Sequence, residues 1–200
     1  MKFDNLGKSG WTAVLGALGM TVACHSAQAG NAEGNGGFVL ACTAEDGTVT
    51  RQLFDYARAG EFGLWEIHSE PGRTEDQWLD LLLSRVPWNS YRVELYREYL
   101  RRFEGESFHV KNGDFRVPQD TNEPWIPKNC RKELVVYQKA NPSPKGARYF
   151  INEDVWPLLD DETRAGLKLH EGVYREALAN GATNSDGVAN LLARLREPFG

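Results

Sequence analysis

The chain has 200 residues, three cysteines and a formal net charge of −5, and 41% of its residues are hydrophobic. This length and composition predict a single domain with a sizeable core. The modest acidic balance and the lack of a basic cluster argue against binding to nucleic acid or, through a polybasic face, to a membrane surface.

The first 29 residues predict a cleavable secretory signal. A weakly basic start with Lys2 and Lys8 leads into an apolar core, residues 11–23, and Ala27-Gln28-Ala29 has the small-x-small pattern that signal peptidase reads. The core has 13 residues, whereas a membrane-spanning helix needs about 20. No later segment is apolar enough to span a bilayer, so we expect an exported domain, periplasmic or extracellular, without a transmembrane segment. A retained membrane anchor is the alternative.

Cys24 offers a second way of holding the chain at the cell envelope. Bacterial lipoproteins carry lipid on a cysteine that follows a short apolar-small motif, usually with leucine three places before it. Thr21 stands at that place here, which makes lipid anchoring at Cys24 the lesser alternative. The glycine-rich residues 30–37 are expected to be flexible and would form a tether for such an anchor.

Cleavage after Ala29 would leave 171 residues with a net charge of −6, because two lysines and one aspartate leave with the signal. The mature chain keeps Cys42 and Cys130. An even pair of cysteines in an oxidising compartment predicts a disulfide. Two independent buried thiols are the alternative. A metal site on these cysteines is disfavoured, because neither has a second cysteine or a histidine at ligand spacing.

Hairpin signals dominate the start of the predicted domain. Strand patterns over residues 38–42 and 48–53 flank Asp46-Gly47, a strong turn signal, and predict an antiparallel pair. A short helical turn is expected over 55–59, and the Gly- and Pro-rich residues 60–73 predict a loop.

Two amphipathic helices come next. Thr74 caps the first, with Gln77 in the capping-box position, and Pro87 closes it. Apolar residues recur at helical spacing over residues 90–103 and predict the second. We expect the two helices to form an αα-hairpin that covers a sheet.

Strand patterns then return. Residues 107–111 and 114–117 flank Asn112-Gly113 and predict a second hairpin. Two more strands are expected over 134–138 and 147–152, after an irregular connection punctuated by prolines.

Helices end the chain. Asp160 or Asp161 caps a long helix that stops at Asn180-Gly181, and a last helix covers about 185–196. The order of elements predicts one α+β domain, residues 38–200, closed by one disulfide. Its small, mostly antiparallel sheet would pack against the αα-hairpin and the two C-terminal helices.

The long C-terminal helix carries the sharpest candidate site, His170-Glu171 followed by Tyr174. The zinc-protease helix motif has two histidines four residues apart with a glutamate between them as the general base. Tyrosine is a weak ligand at neutral pH, since its phenol loses a proton only near pH 10. A metal-dependent hydrolase would therefore need zinc held by His170 with His68 or His109, and Glu171 as the base.

The structural interpretation of the same residues needs fewer assumptions. Leu167, His170 and Tyr174 share one helix face, so their side chains would pack inward with satisfied polar ends. Glu171 and Arg175 would form a helix-stabilising pair at i, i+4. This interpretation favours a domain that binds no metal and has no catalytic residue.

Trp125 is the candidate recognition residue. It lies between Pro124 and Pro127 in a polar loop, where it could present a rigid apolar face to a partner or a sugar ring. The alternative is that Trp125 packs the loop onto the core near Cys130.

Several short motifs together resemble a loosely defined, uncharacterised family of exported proteins of Gram-negative, including predatory, bacteria. The resemblance is carried by the glycines before Cys42, by Asn129-Cys130, and by the helix motif Leu169-His170-Glu171 with Tyr174-Arg175. It implies a disulfide and no established activity, and it carries over no catalytic residue. The leading hypothesis is therefore a non-catalytic exported domain that binds a protein or an envelope polymer.

Overall fold

The computed structural model describes residues 37–59, 72–86, 90–111, 126–140, 142 and 146–195. These residues form an α+β fold with one five-stranded sheet, as the order of elements predicted. The expected signal, Cys24, His68, Trp125 and the second arm of the second hairpin, residues 114–117, lie outside the described residues.

Two strands and a turn open the fold as predicted. Strands β1 (Gly37–Thr43) and β2 (Val49–Leu53) pair antiparallel, and Gly47 takes a positive φ of 84° in the turn between them. Helix α1 (Phe54–Ala59) follows β2 directly. This direct succession brings the first turn of α1 to the edge of the core.

Helices α2 (Glu75–Ser84) and α3 (Ser90–Phe103) confirm the two amphipathic helices. The capping box of α2 is present: the Thr74 hydroxyl accepts from the Gln77 backbone, and the Gln77 side chain accepts from the Thr74 backbone. Both helices pack against a later helix, α4 (Asp161–Ala179). Helix α4 in turn contacts β1, β2 and β4 (Cys130–Gln138) of the sheet.

The rest of the sheet is built from distant parts of the chain. Strand β4 pairs antiparallel with β1, and β5 (Tyr149–Asn152) pairs antiparallel with β4. Strand β3 (Ser107–Val110) pairs with β5 in parallel, giving the order β2-β1-β4-β5-β3. The sheet is mixed, because the parallel β3–β5 pair joins three antiparallel ones.

A β-bulge interrupts the pairing of β4 with β1. Gly37 opposes Val136 while Phe38 opposes Leu134, so Val135 is an extra residue on β4. Val135 and Val136 are both fully buried in the main core with Leu167 and Tyr174 of α4. Cys42 and Cys130 lie directly opposite each other on β1 and β4 and form the predicted disulfide.

The last helices begin and end close to their predicted positions. Asp160 is the N-cap of α4, its carboxylate accepting from the Thr163 backbone, and Gly181 has a φ of 87° just beyond the C-cap Asn180. Helix α5 (Asp186–Leu195) packs against α1 and α4. Helix α4 is therefore surrounded by the sheet and by helices.

Candidate functional site

The His170 imidazole is fixed by a carboxylate that lies 115 residues earlier in the chain. Its Nδ1 lies 2.6 Å from Oδ2 of Asp55 in α1, and both side chains are buried. Burial alone would lower the pKa of His170, but the Asp55 carboxylate, with a further contribution from Glu171, raises it above the ordinary 6.5. Nε2 of His170 has no hydrogen-bond partner within the described residues.

Glu171 points toward the sheet and is fully buried. Its Oε1 accepts from the Gly37 backbone at 3.0 Å, and its Oε2 accepts from Nε2 of Gln138 at 2.8 Å. The same Gln138 nitrogen donates to the Glu171 carbonyl at 2.8 Å. Burial raises the pKa of Glu171 to about 7 from an ordinary 4.5, against the opposing effects of His170 and the two donors. One side chain thus joins α4 to β1 and β4.

The expected ion pair between Glu171 and Arg175 is wrong. Arg175 donates to Glu106 at 2.8 Å, while both oxygens of Glu171 bind groups of the sheet. The i, i+4 rule assumes a solvated helix face. Helix α4 has no such face at position 171, since the sheet covers it. The inward packing of Leu167, His170 and Tyr174 is confirmed, for all three are buried.

The proposed zinc ligands do not form a cluster in the part of the chain that is described. His109 is exposed on the edge strand β3, and His170 is buried beside Asp55. Among the described residues no group of three or more His, Cys, Asp or Glu side chains could hold a metal ion. The sequence alone does not point to Asp55 as the partner of His170, because only the fold brings these two residues together.

A row of aromatic rings crosses the sheet at its β3 end. Phe108 of β3 is directly opposite Phe150 of β5, and Phe150 is directly opposite Tyr137 of β4. The ring centroids are 6.1 Å apart between Phe108 and Phe150, tilted by 60°, and 4.9 Å apart between Phe150 and Tyr137, nearly parallel. Phe108 is 57% exposed. We call Phe108, Phe150 and Tyr137 the aromatic row.

The aromatic row lies on the opposite face of the sheet from α4. In β5 the two neighbours of Phe150, Tyr149 and Ile151, are fully buried in the main core, whereas Phe150 is only partly buried. Lys139, the residue after the end of β4, places its Nζ 4.6 Å from the Phe150 centroid, a cation–π geometry. An aromatic surface with an attached cation therefore faces away from the helices.

A cleft of about 340 Å³ lies between α3, α4 and α5. Its apolar floor includes Val173 and Leu191, and its polar wall is formed by Arg92, Tyr96 and Glu176. Both oxygens of Glu176 are engaged, one by Arg92 at 3.1 Å and the other by the Tyr96 hydroxyl at 2.5 Å. Burial and this hydrogen bond raise the pKa of Tyr96. The three side chains of the wall thus bind one another.

No described helix combines the length and the apolar character that crossing a bilayer requires. Comparison of the chain with family models, with curated proteins and with solved structures finds no match.

Proposed function

We propose that the mature chain is an exported, non-catalytic binding domain that acts on a protein or an envelope polymer. The observation that carries this proposal is that the side chains of His170 and Glu171 bind other groups of the protein. Both side chains are buried, and Nδ1 of His170 and both oxygens of Glu171 bind groups of the chain itself. The His170-Glu171 segment, which resembles a catalytic motif more than any other part of the sequence, thus stabilises the fold.

Catalysis by this pair would require access that its surroundings oppose. A general base has to come within hydrogen-bond reach of the proton that it removes. The Glu171 oxygens already lie 2.8–3.0 Å from Gln138 and the Gly37 backbone, behind the sheet. A substrate would have to displace β1 to reach them.

Export is supported by two independent features. The disulfide between Cys42 and Cys130 is typical of oxidising compartments. The first 29 residues have the pattern of a secretory signal. Both features suit a periplasmic or extracellular domain.

Binding is supported by the aromatic row. Rings that are held rigidly on a sheet lose little conformational freedom when a partner packs against them, which favours association. Of the three rings in the row, Phe108 has the largest exposure, and the stacked pair of Phe150 and Tyr137 lies next to it.

Cosedimentation with isolated Gram-negative envelopes tests this proposal. We expect the mature chain, residues 30–200, to sediment with the envelopes, and Phe108→Ala to weaken this binding. Tyr91→Ala is the matched control, because Tyr91 is an exposed ring (72%) on α3. Binding that is absent, or that Phe108→Ala and Tyr91→Ala reduce equally, would contradict the proposal.

A metal-dependent hydrolase is the second candidate, favoured by one observation: Nε2 of His170 has no hydrogen-bond partner within the described residues. In such an enzyme this nitrogen would bind zinc together with His68, and Glu171 would act as the base. Elemental analysis of the purified mature protein separates the two candidates. Stoichiometric zinc that His170→Ala removes would support the hydrolase and overturn the binding domain, whereas folded, metal-free protein would end the hydrolase.

A further inference from the structure

We infer that the aromatic row and Lys139 form a binding site for a glycan that carries carboxylate groups. This inference rests on the proposed binding function and names the class of partner. It is carried by three features: the arrangement of the rings, the size of the surface and the charge beside it.

The arrangement of the rings suits one sugar unit of a glycan chain. Strand pairing sets the three rings side by side across β3, β5 and β4, with centroids 6.1 and 4.9 Å apart. Each pyranose ring has an apolar face of C–H groups that can pack flat on an aromatic ring. Phe150 is already in contact with Tyr137 and Lys139. Phe108 is therefore the ring that stacks on the sugar, and the other two hold it in place.

The exposed aromatic surface of the row is smaller than the interface that a stable protein partner needs. A specific protein–protein interface buries about 800 Å² on each side, whereas a single aromatic side chain contributes at most about 250 Å². Only Phe108 of the row is largely exposed. A surface of this size can hold one or two sugar units. A glycan polymer offers many such units, so a neighbouring unit can bind when the first one dissociates.

The charge beside the rings selects for an acidic glycan. Lys139 forms no ion pair with a carboxylate in the described part of the chain, and its Nζ lies above the Phe150 ring. A carboxylate on a sugar that stacks on Phe108 can therefore pair with a cation already held in place. The mature chain has a net charge of −6, so this attraction is local and should be weakened by salt.

Isothermal titration calorimetry with defined glycans tests the inference on the mature chain. The probes are a hyaluronan oligosaccharide, which alternates an N-acetylhexosamine with a uronic acid, and the same oligosaccharide with its carboxylates reduced to alcohols. We expect the acidic form to bind more tightly than the reduced form, and salt to narrow the difference. Single-stranded oligothymidylate tests nucleic acid, another polymer whose units stack on aromatic rings and whose negative charge attracts cations.

Four variants assign the binding to the site. Phe108→Ala should weaken hyaluronan binding about tenfold, and the exposed-ring control Tyr91→Ala should not change it. Lys139→Gln should weaken it about two- to fivefold, as expected for an exposed ion pair. Arg194→Gln, which removes an exposed cation from α5, is the charge-matched control. Circular dichroism of each variant confirms that it is folded.

The outcomes are decisive in either direction. Hyaluronan binding that depends on Phe108, on Lys139 and on the carboxylates supports the inference. Failure to bind, equal binding of the reduced form, insensitivity to Phe108→Ala, or tighter binding of oligothymidylate overturns it. If hyaluronan fails while envelope binding still depends on Phe108, the proposed binding function stands and only the partner class is wrong. If both fail, the proposed function falls too.

Discussion

Glu171 links three elements of the fold through one buried side chain. Its carboxylate holds the first residue of β1 and the side chain of Gln138 in β4, while its backbone belongs to α4. Burying a carboxylate in its charged form is unfavourable, which is why burial raises the pKa of Glu171 to about 7. This single residue therefore makes the stability of the domain depend on pH.

We expect the free energy of unfolding to fall as the pH rises from about 4.5 to 7. In this range the folded protein keeps a proton on Glu171 that the unfolded chain has released, because the pKa is about 7 in the fold and 4.5 ordinarily. The loss is on the order of 2–3 kcal/mol. His170 acts in the same direction: its raised pKa gives a stabilising contribution that is complete below pH 6.5 and is lost as the pH rises through the folded pKa. Urea denaturation at a series of pH values measures this decline.

Glu171→Gln isolates the contribution of this carboxylate. The amide oxygen of the new glutamine can still accept from the Gly37 backbone. Oε1 of Gln138 has no partner among the described residues. If the Gln138 amide rotates by half a turn, this oxygen can accept from the amide nitrogen of the new glutamine. The variant should therefore fold and show a smaller decline between pH 4.5 and 7. Glu94→Gln, at an exposed carboxylate on α3, should keep the original slope. An unchanged slope in Glu171→Gln would show that another group carries the dependence.

Asp55→Asn tests the electrostatic partner of His170. The Asn oxygen can still accept from Nδ1–H, but the charge that favours the imidazolium is gone, so burial would dominate and the pKa of His170 should fall. NMR titration of the His170 ring signals measures the change. Asp80→Asn, at a side chain that is 76% exposed in α2, is the control. A pKa of His170 that does not respond to Asp55→Asn would contradict this account of the pair.

Helix α4 approaches its neighbours closely at one glycine and not at another. A Cβ on Gly166 would lie 2.7 Å from Oη of Tyr56 and 2.8 Å from Cδ2 of Leu53. A Cβ on Gly172 would meet only Cβ of Tyr99, at 3.9 Å, an ordinary contact. The same substitution in one helix should therefore have opposite effects.

We expect Gly166→Ala to destabilise the domain by about 1–3 kcal/mol, because two packed side chains would have to move. Gly172→Ala should stabilise it by up to about 1 kcal/mol, since alanine is the better helix former and the space is free. Urea denaturation of both variants measures the difference. Equal changes in the two variants would show that α4 can shift away from Leu53 and Tyr56.

The elements could be predicted where the deciding chemistry lies within a few residues. Thr74 with Gln77, Asp160 with Thr163, and the turn at Gly47 act over one to three positions, and their helices and hairpin begin or end where expected. Strand β3 shows the limit of this reasoning. Its pairing with β5 in parallel joins residues about forty positions apart, and no local signal in either strand specifies the direction of pairing.

The candidate site shows the same limit at the scale of the whole molecule. The helix motif points to His170 and Glu171, but their partners, Asp55 and Gly37, lie 115 and 134 residues away in the sequence. The aromatic row cannot be predicted from the sequence, because Phe108, Tyr137 and Phe150 are ordinary strand residues and only the pairing register places them side by side. The disulfide was predictable because the two cysteines left after the expected cleavage allow one pairing.

That disulfide should contribute a large part of the stability of the domain. It joins Cys42 and Cys130 across 88 residues, and a loop of this length stabilises the folded state by about 4–5 kcal/mol through the entropy of the unfolded chain. Backbone pairing holds the same residues of β1 and β4 opposite each other, so the fold itself should survive without the bond. We therefore expect the double variant Cys42→Ser/Cys130→Ser to fold but to unfold at much lower urea concentration.

A reducing agent provides the internal control for this prediction. It should lower the urea midpoint of the original chain to near that of the double variant, and it should leave the double variant unchanged. Circular dichroism without urea, at a temperature below the unfolding transition, should give the same strand and helix signal for both proteins. A double variant that is unfolded without urea would contradict this prediction. It would mean that the disulfide is required to pair β1 with β4, and that the hydrogen bond between Glu171 and the Gly37 backbone cannot hold β1 in place alone.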